Sequence, residues 1–145
     1  MPTAERIDPQ PAINFRVEID GLTPSGFLEV SGLEAEIAVI DYREGTDKSL
    51  SPRKLTGLVK YSNITLKRGV TNDPSLWNWM KEGLDGKVNR RNGSIVLLAE
   101  DGQEVRRWNF VNGWPAKYSG PHLDASANDA AIETIEIAHE GLTLA

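Results

Sequence analysis

Residues 13–20 read Ile13-Asn14-Phe15-Arg16-Val17-Glu18-Ile19-Asp20, apolar at every odd position and polar or charged at every even one. A strict period of two places one set of side chains in a core and the other in water, so this stretch predicts a half-buried β-strand. Upstream, residues 1–12 carry Pro2, Pro9 and Pro11 without periodicity, which reads as a flexible N-terminal arm able to order on assembly. Downstream, Gly21-Leu22-Thr23-Pro24-Ser25-Gly26 supplies turn chemistry. A second alternating run then sets Leu33, Ala35, Ile37 and Val39 against Glu34 and Glu36. The two runs are expected to pair as a meander.

Between Tyr42 and Tyr61 the chain is polar and basic with little core signal, and a loop of that length in a compact domain is usually functional or mobile. Residues 61–68 read as a strand with Ile64 and Leu66 inward. One helix follows: Asp73 is its expected N-cap and Pro74 its first residue, Leu76, Trp77 and Met80 form its apolar stripe, and Gly83 ends it. Ile95-Val96-Leu97-Leu98-Ala99 is apolar on both parities, the pattern of a strand covered on both faces, with a second subunit as one source of cover. Asp101-Gly102 predicts a hairpin into residues 105–111, where Trp108 and Phe110 share a face. Residues 112–128, rich in Gly, Pro and Asn, read as irregular, and Ile135 and Ile137 mark a last strand. Six or seven strands and one short α-helix make a mainly β fold, a two-sheet antiparallel β-sandwich or small barrel, with residues 13–145 as one domain.

Composition agrees with one soluble, folded unit: 145 residues, 39% hydrophobic and 26% charged. The N-terminus lacks the apolar core of a secretory signal, so folding in the cytoplasm is expected. Without cysteine there is no disulfide framework and no thiolate ligand or nucleophile. The net charge of −5 is distributed in blocks: eight acids and two bases in residues 1–41, seven bases and two acids in 43–68, and five acids with no Lys or Arg in 118–145. Two readings stand: neutralisation between neighbouring strands of one chain, or a basic element of one subunit meeting an acidic face of the next.

Motifs for bond chemistry are missing. The histidines are His122 and His139, in unrelated settings, and no Gly-x-Ser-x-Gly elbow occurs. His139 reads as structural. Gly45-Thr46-Asp47-Lys48-Ser49 lacks the glycine before the lysine that a phosphate loop needs, and Asp47 would repel phosphate. The run from Asp124 to Asp129 lacks the turn glycine and closing acid of a calcium loop. Arg90-Arg91 and Arg106-Arg107 read as sheet-surface ion-pair partners rather than nucleic-acid contacts in a chain of pI about 5.1. No cofactor, metal or catalytic residue is expected.

Five stretches together resemble the phage tail tube family: Val30-Ser31-Gly32-Leu33, Tyr42-Arg43-Glu44-Gly45, residues 60–71 from Lys60-Tyr61-Ser62-Asn63 to Val70-Thr71, Phe110-Val111-Asn112-Gly113-Trp114-Pro115-Ala116-Lys117-Tyr118, and residues 131–142 ending Ala138-His139-Glu140-Gly141-Leu142. In this order they span residues 14–142. The resemblance implies an Hcp-like tail-tube fold, shared with the tube protein of type VI secretion. It also implies hexameric rings that stack into a hollow tube driven through a target envelope by a contracting sheath. The implied partners are further copies of itself, the sheath protein, baseplate hub, spike and tube-initiator proteins, a tube terminator or tape-measure protein, and luminal cargo, either DNA or a protein toxin. No specific nucleic-acid recognition and no membrane anchor are implied. The product would be assembled in the cytoplasm and belong to a virion tail or a released tail-like particle. The stretch from Tyr42 to Lys60 would reach a neighbouring subunit or ring through Tyr42, Arg43, Glu44, Asp47, Lys48, Arg53, Lys54 and Lys60. Two alternatives remain: a baseplate-proximal paralogue joining spike to tube, and a monomeric small-barrel binding module.

Overall fold

The computed structural model describes residues 14–22, 26–46, 48, 50–126 and 128–145. Along these run β1 (Phe15–Ile19), β2 (Phe27–Ser31), β3 (Ala35–Tyr42), β4 (Arg53–Tyr61), β5 (Ile64–Gly69), α1 (Ser75–Leu84), β6 (Arg91–Leu98), β7 (Glu104–Ser119), β8 (Ile132–Ala138) and β9 (Gly141–Leu144). Strand β7, 16 residues long, belongs to two sheets: its first half pairs with β6 and β9, its second with β8. One sheet is β1-β6-β7-β9 and the other β7-β8-β5-β2, all antiparallel. The β7 partner changes around Asn112, whose φ of 52° suits one of the few side chains that tolerate the left-handed region. Asn92 Oδ1 accepts the Asn112 backbone N–H at 3.0 Å, and the Asn112 amide donates to Glu140 at 2.9 Å. The fold is the expected β-sandwich with one helix.

The core lies between the sheets. Val17, Ile19, Ile95 and Phe110 come from one, Ile64, Leu66, Ile135 and Ile137 from the other, and Leu76 and Trp79 from α1. Each buried aliphatic side chain contributes about 1.5–3 kcal/mol relative to exposure. Strand periodicity names seven of these ten residues, the two-faced run adds Ile95 and the helical stripe Leu76, which leaves Trp79 as the one not expected in the core.

The helix differs from expectation at both ends and on its face. The Asp73 carboxylate accepts the Ser75 backbone N–H at 3.0 Å and so still serves the first turn, one residue further out than a true N-cap. The helix runs past Gly83 to Leu84 and closes with Lys87 N–H donating to Glu82 O and Gly86 N–H to Gly83 O, the paired bonds of a Schellman cap that needs Gly86 at φ 91°. Trp79, not Trp77, enters the core; Trp77 is 43% exposed.

Four further expectations are corrected. The stretches expected to form a meander do not pair: β1 pairs with β6 and β3 with β4. The long loop is in part strand, since β4 occupies 53–61 and the connection is residues 43–52. Residues 61–68 divide at Ser62-Asn63 into the end of β4 and the start of β5. The stretch from Asn112 continues as β7 to Ser119. Strands β2 and β9 were not legible, being short and weakly patterned. Val96, on the outer parity of β6, is fully buried within the single chain with Arg16 and Arg107 as register partners, so no second subunit is needed to cover it. Ile13, the 1–12 arm and Asp47 lie outside the described residues.

Candidate assembly interface

Among the described residues, strands β3 and β4 pair with each other as a two-stranded ribbon separate from the main sheet. Every residue of β3 is exposed, as is all of β4 except the half-buried Gly57 and Tyr61. Yet the ribbon is rich in large apolar side chains, with Leu58 85% and Val39 66% exposed. In register Ile37 faces Val59, Ile40 faces Leu55, and a bulge falls between Ile37 and Val39. Alternation along β3 sends Ile37 and Val39 to one side and Ile40 and Tyr42 to the other, so both faces are apolar. That is the pattern of strands covered on both sides. A two-stranded hairpin alone in water is marginally stable at best.

The residues expected to make contacts fall in two groups on this ribbon. Tyr42 ends β3, Arg43 and Glu44 follow it, Lys48 lies in the connection, and Arg53 and Lys54 open β4, so these six gather toward the tip. Lys60 pairs in register with Glu36 near the root, apart from the rest. The Tyr42 hydroxyl donates to Glu44 at 2.8 Å, and Lys54 Nζ lies 2.6 Å from Asp41. Exposed pairs of this kind are worth about 0–1 kcal/mol, so they shape the tip without locking it. Ile37 and Val39, expected as the apolar parity of an alternating strand, are exposed, and the sequence reading missed the apolar set Ile40, Leu55, Leu58 and Val59. Its signal was the run Leu55-Thr56-Gly57-Leu58-Val59 inside the stretch taken as polar.

The body beneath the ribbon is stiffened by two polar networks. Arg68, 1% exposed on β5, donates to Glu133 on β8 at 2.5 Å, to the Asp73 carboxylate at 3.1 Å and to the Asp73 carbonyl at 2.8 Å. The Tyr118 hydroxyl donates to the second Glu133 oxygen at 2.5 Å. Burial, then this bond to Glu133, pushes the Tyr118 phenol up to about 12. The Ser75 backbone N–H holds the Asp73 carboxyl below its ordinary range, aided by Arg68. On the outer face of the first sheet, Arg107 donates to Glu18 at 2.8 Å and Glu104 at 2.6 Å, and those bonds depress both carboxyls. Of the four arginines expected in sheet-surface ion pairs, Arg90 lies 3.3 Å from Glu140 and Arg107 pairs with Glu18 and Glu104, while Arg91 donates to the Asp20 carbonyl at 2.6 Å. Within one chain the charge blocks are thus partly neutralised.

His139 is structural in its contacts. Its Nε2 lies 3.0 Å from the Ser62 carbonyl and Nδ1 3.1 Å from that of Gly141, so a neutral ring donates to one of the two. Among the described residues no group of three or more His, Cys, Asp or Glu is placed to hold a metal ion, and no helix is long and apolar enough to cross a membrane.

The fold recurs in known proteins. A chain in the cryo-EM structure of an extracellular contractile injection system, the PVC sheath/tube terminator in its extended state, is 28% identical, with a TM-score of 0.86 and 99% of each chain covered. A chain of the PVC sheath-tube complex in its extended state is also 28% identical, with a TM-score of 0.83 over 94% of this chain and 91% of that one. Hcp1 from Flavobacterium johnsoniae, 15% identical with a TM-score of 0.58 over 88% of this chain and 93% of that one, shares the fold alone. No curated protein matches the chain in sequence. The family model for the T4-like virus tail tube protein gp19 matches residues 11–143, nearly the full length. The chain therefore belongs to the T4-like virus tail tube protein family, and its role is that of a tube subunit in a contractile injection system or phage tail.

Proposed function

We propose that this chain is the repeating subunit of the inner tube, acting without bond chemistry as a rigid conduit and piston. Copies close laterally into hexameric rings, and the rings stack coaxially inside a sheath. The observation that carries this reading is the ribbon of β3 and β4, apolar on both faces and exposed among the described residues. Strand edges support it: among the described residues, β1 and β2 terminate the path of the main sheet and β9 pairs with β7 alone. Open edges invite pairing, and a contact that closes by rotation removes them. Arg43, Lys48, Arg53 and Lys54 at the tip, with Tyr42, Glu44, Asp47 and Lys60, are the proposed contacts between subunits or rings. The partners are a sheath protein, baseplate and spike components, a terminator and luminal cargo. Assembly takes place in the cytoplasm, and residues 13–145 act as one domain behind an N-terminal arm.

Electron microscopy of the purified chain, alone and seeded with its baseplate complex, tests the reading. Sixfold rings or tubes are expected. A strictly monomeric species at high concentration in the presence of the initiator would overturn it.

A further inference from the structure

Where β1 ends and β6 begins, a polar recess of about 360 Å³ has Asp20, Gly21, Arg90, Arg91, Asn92 and Asn112 among its walls. Arg91 is held there through Nη1, which donates to the Asp20 carbonyl at 2.6 Å. Asp20 is fixed in turn, its backbone N–H donating to the Asn92 carbonyl at 2.9 Å. Glycine at position 21 admits the guanidinium, since a Cβ there would sit 2.3 Å from Nη1. Arg91 Nε is the one buried side-chain nitrogen or oxygen among the described residues without a hydrogen-bond partner. A buried donor left unmet is costly, so such a group calls for an acceptor.

We propose that this recess is a carboxylate-binding site, in which Nε–H and Nη2–H of Arg91 grip both oxygens of one carboxylate. Covalent geometry supplies the pair. With Nη1 turned to Asp20, the Nε and Nη2 hydrogens lie side by side on one edge of the planar guanidinium and match the two oxygens of a carboxylate. Asn92 adds a third donor: its Oδ1 is taken by the Asn112 backbone N–H at 3.0 Å, which leaves its amide nitrogen to donate. Arg90 is matched by Glu140 at 3.3 Å, whereas Arg91 is in no ion pair among the described residues. Asp20 is the acid in the walls and works against a second negative charge, which favours a carboxylate over dianionic phosphate. The site stands on a single chain and does not depend on how copies assemble. The carboxylate belongs to a small free acid or to an Asp or Glu side chain of another chain, and the grip is the same for both.

The Arg91 Nε–H resonance of the isotope-labelled, unassembled full chain is followed as sodium acetate is added, with sodium chloride at equal ionic strength as the control. A saturable shift is expected with acetate and none with chloride. Read at the Gly21 backbone N–H, Arg91→Lys should raise the half-saturating acetate concentration at least about tenfold, because an ammonium keeps the charge and loses the paired donors. Asn92→Asp keeps the acceptor for Asn112 but sets a negative charge in the recess, and should weaken acetate at least as much. Dianionic inorganic phosphate should bind more weakly than acetate. Assembled protein separates the two sources: a resonance already shifted in acetate-free buffer and unmoved by acetate assigns the carboxylate to another chain, and one that still titrates assigns it to a free acid. Equal responses to acetate and chloride, unchanged binding in Arg91→Lys, or phosphate tighter than acetate would overturn the proposal. The wild-type titration decides the matter even if both variants fail to fold.

Discussion

Arg68 and Glu133 face each other across β5 and β8 and form an ion pair buried on the inner side of the sandwich, with the guanidinium also reaching Asp73 beside α1. Removing one partner of such a pair leaves a charge in low dielectric and costs about 3–5 kcal/mol, whereas replacing both by apolar residues is often neutral. Arg68→Met is therefore expected to lower stability by about 3–5 kcal/mol, and Arg68→Met with Glu133→Leu to recover most of the loss. Urea unfolding of unassembled protein measures both. A single-variant cost under about 1 kcal/mol would show that Glu133 finds another partner.

Tyr118 donates to Glu133 and meets the Trp77 ring edge-on at 5.2 Å. Its phenol is raised from 10.0 to about 12, chiefly by burial and next by that hydrogen bond. The folded state therefore binds the phenolic proton more tightly than the unfolded chain. That contribution is complete below about pH 10 and fades as pH rises toward about 12. Alkaline unfolding should track tyrosinate formation, followed by ultraviolet absorbance. Tyr118→Phe should flatten the decline over this window.

Gly32 lies between β2 and β3 at φ 89°, and a Cβ there would sit 2.0 Å from the Asn63 carbonyl oxygen. Gly26 has a similar φ of 75° and open space around it. Gly32→Ala should cost about 3 kcal/mol or more, backbone strain plus collision, and Gly26→Ala only about 1–2 kcal/mol. Comparing their thermal midpoints separates the two causes, and equal losses would refute the collision.

Trp79 is 1% exposed and donates its indole N–H to the Asn89 carbonyl at 2.7 Å. Trp79→Ala should cost about 3–5 kcal/mol. Trp77→Ala, at a site 43% exposed, should cost roughly 1 kcal/mol, mostly the lost contact with Tyr118. Denaturant midpoints of the two variants would expose a reversed order at once.

The exposed ribbon separates folding from assembly. Leu58→Asp, at a side chain 85% exposed, should leave the denaturation midpoint of the single chain within about 0.5 kcal/mol of wild type. It should nonetheless abolish rings and tubes in micrographs, because a charge would be placed in a contact between copies. Normal tubes from this variant would remove Leu58 from the interface.

The amino-acid sequence by itself determined the strands with one dry face, since burial on one side writes a period of two into residues such as Val17 with Ile19, Ile64 with Leu66, and Ile135 with Ile137. It also determined one helix, the Asp101-Gly102 hairpin, and membership of a family whose motifs span the chain. Pairing partners were decided only in three dimensions, because register depends on which distant edge a strand meets: β1 chooses β6, and β7 bends through Asn112 to serve both sheets. The ribbon misled a sequence reading for the same reason. Ile37 and Val39 read as the apolar side of an alternating strand while Leu55 and Leu58 look unlike core among charges, and only the fold reveals all four as exposed among the described residues. Arg68 was hidden in the opposite sense: a charge at an inward position is legible as buried only once Glu133 and Asp73 are brought beside it, because ion pairing across strands is a property of tertiary contact and not of chain order.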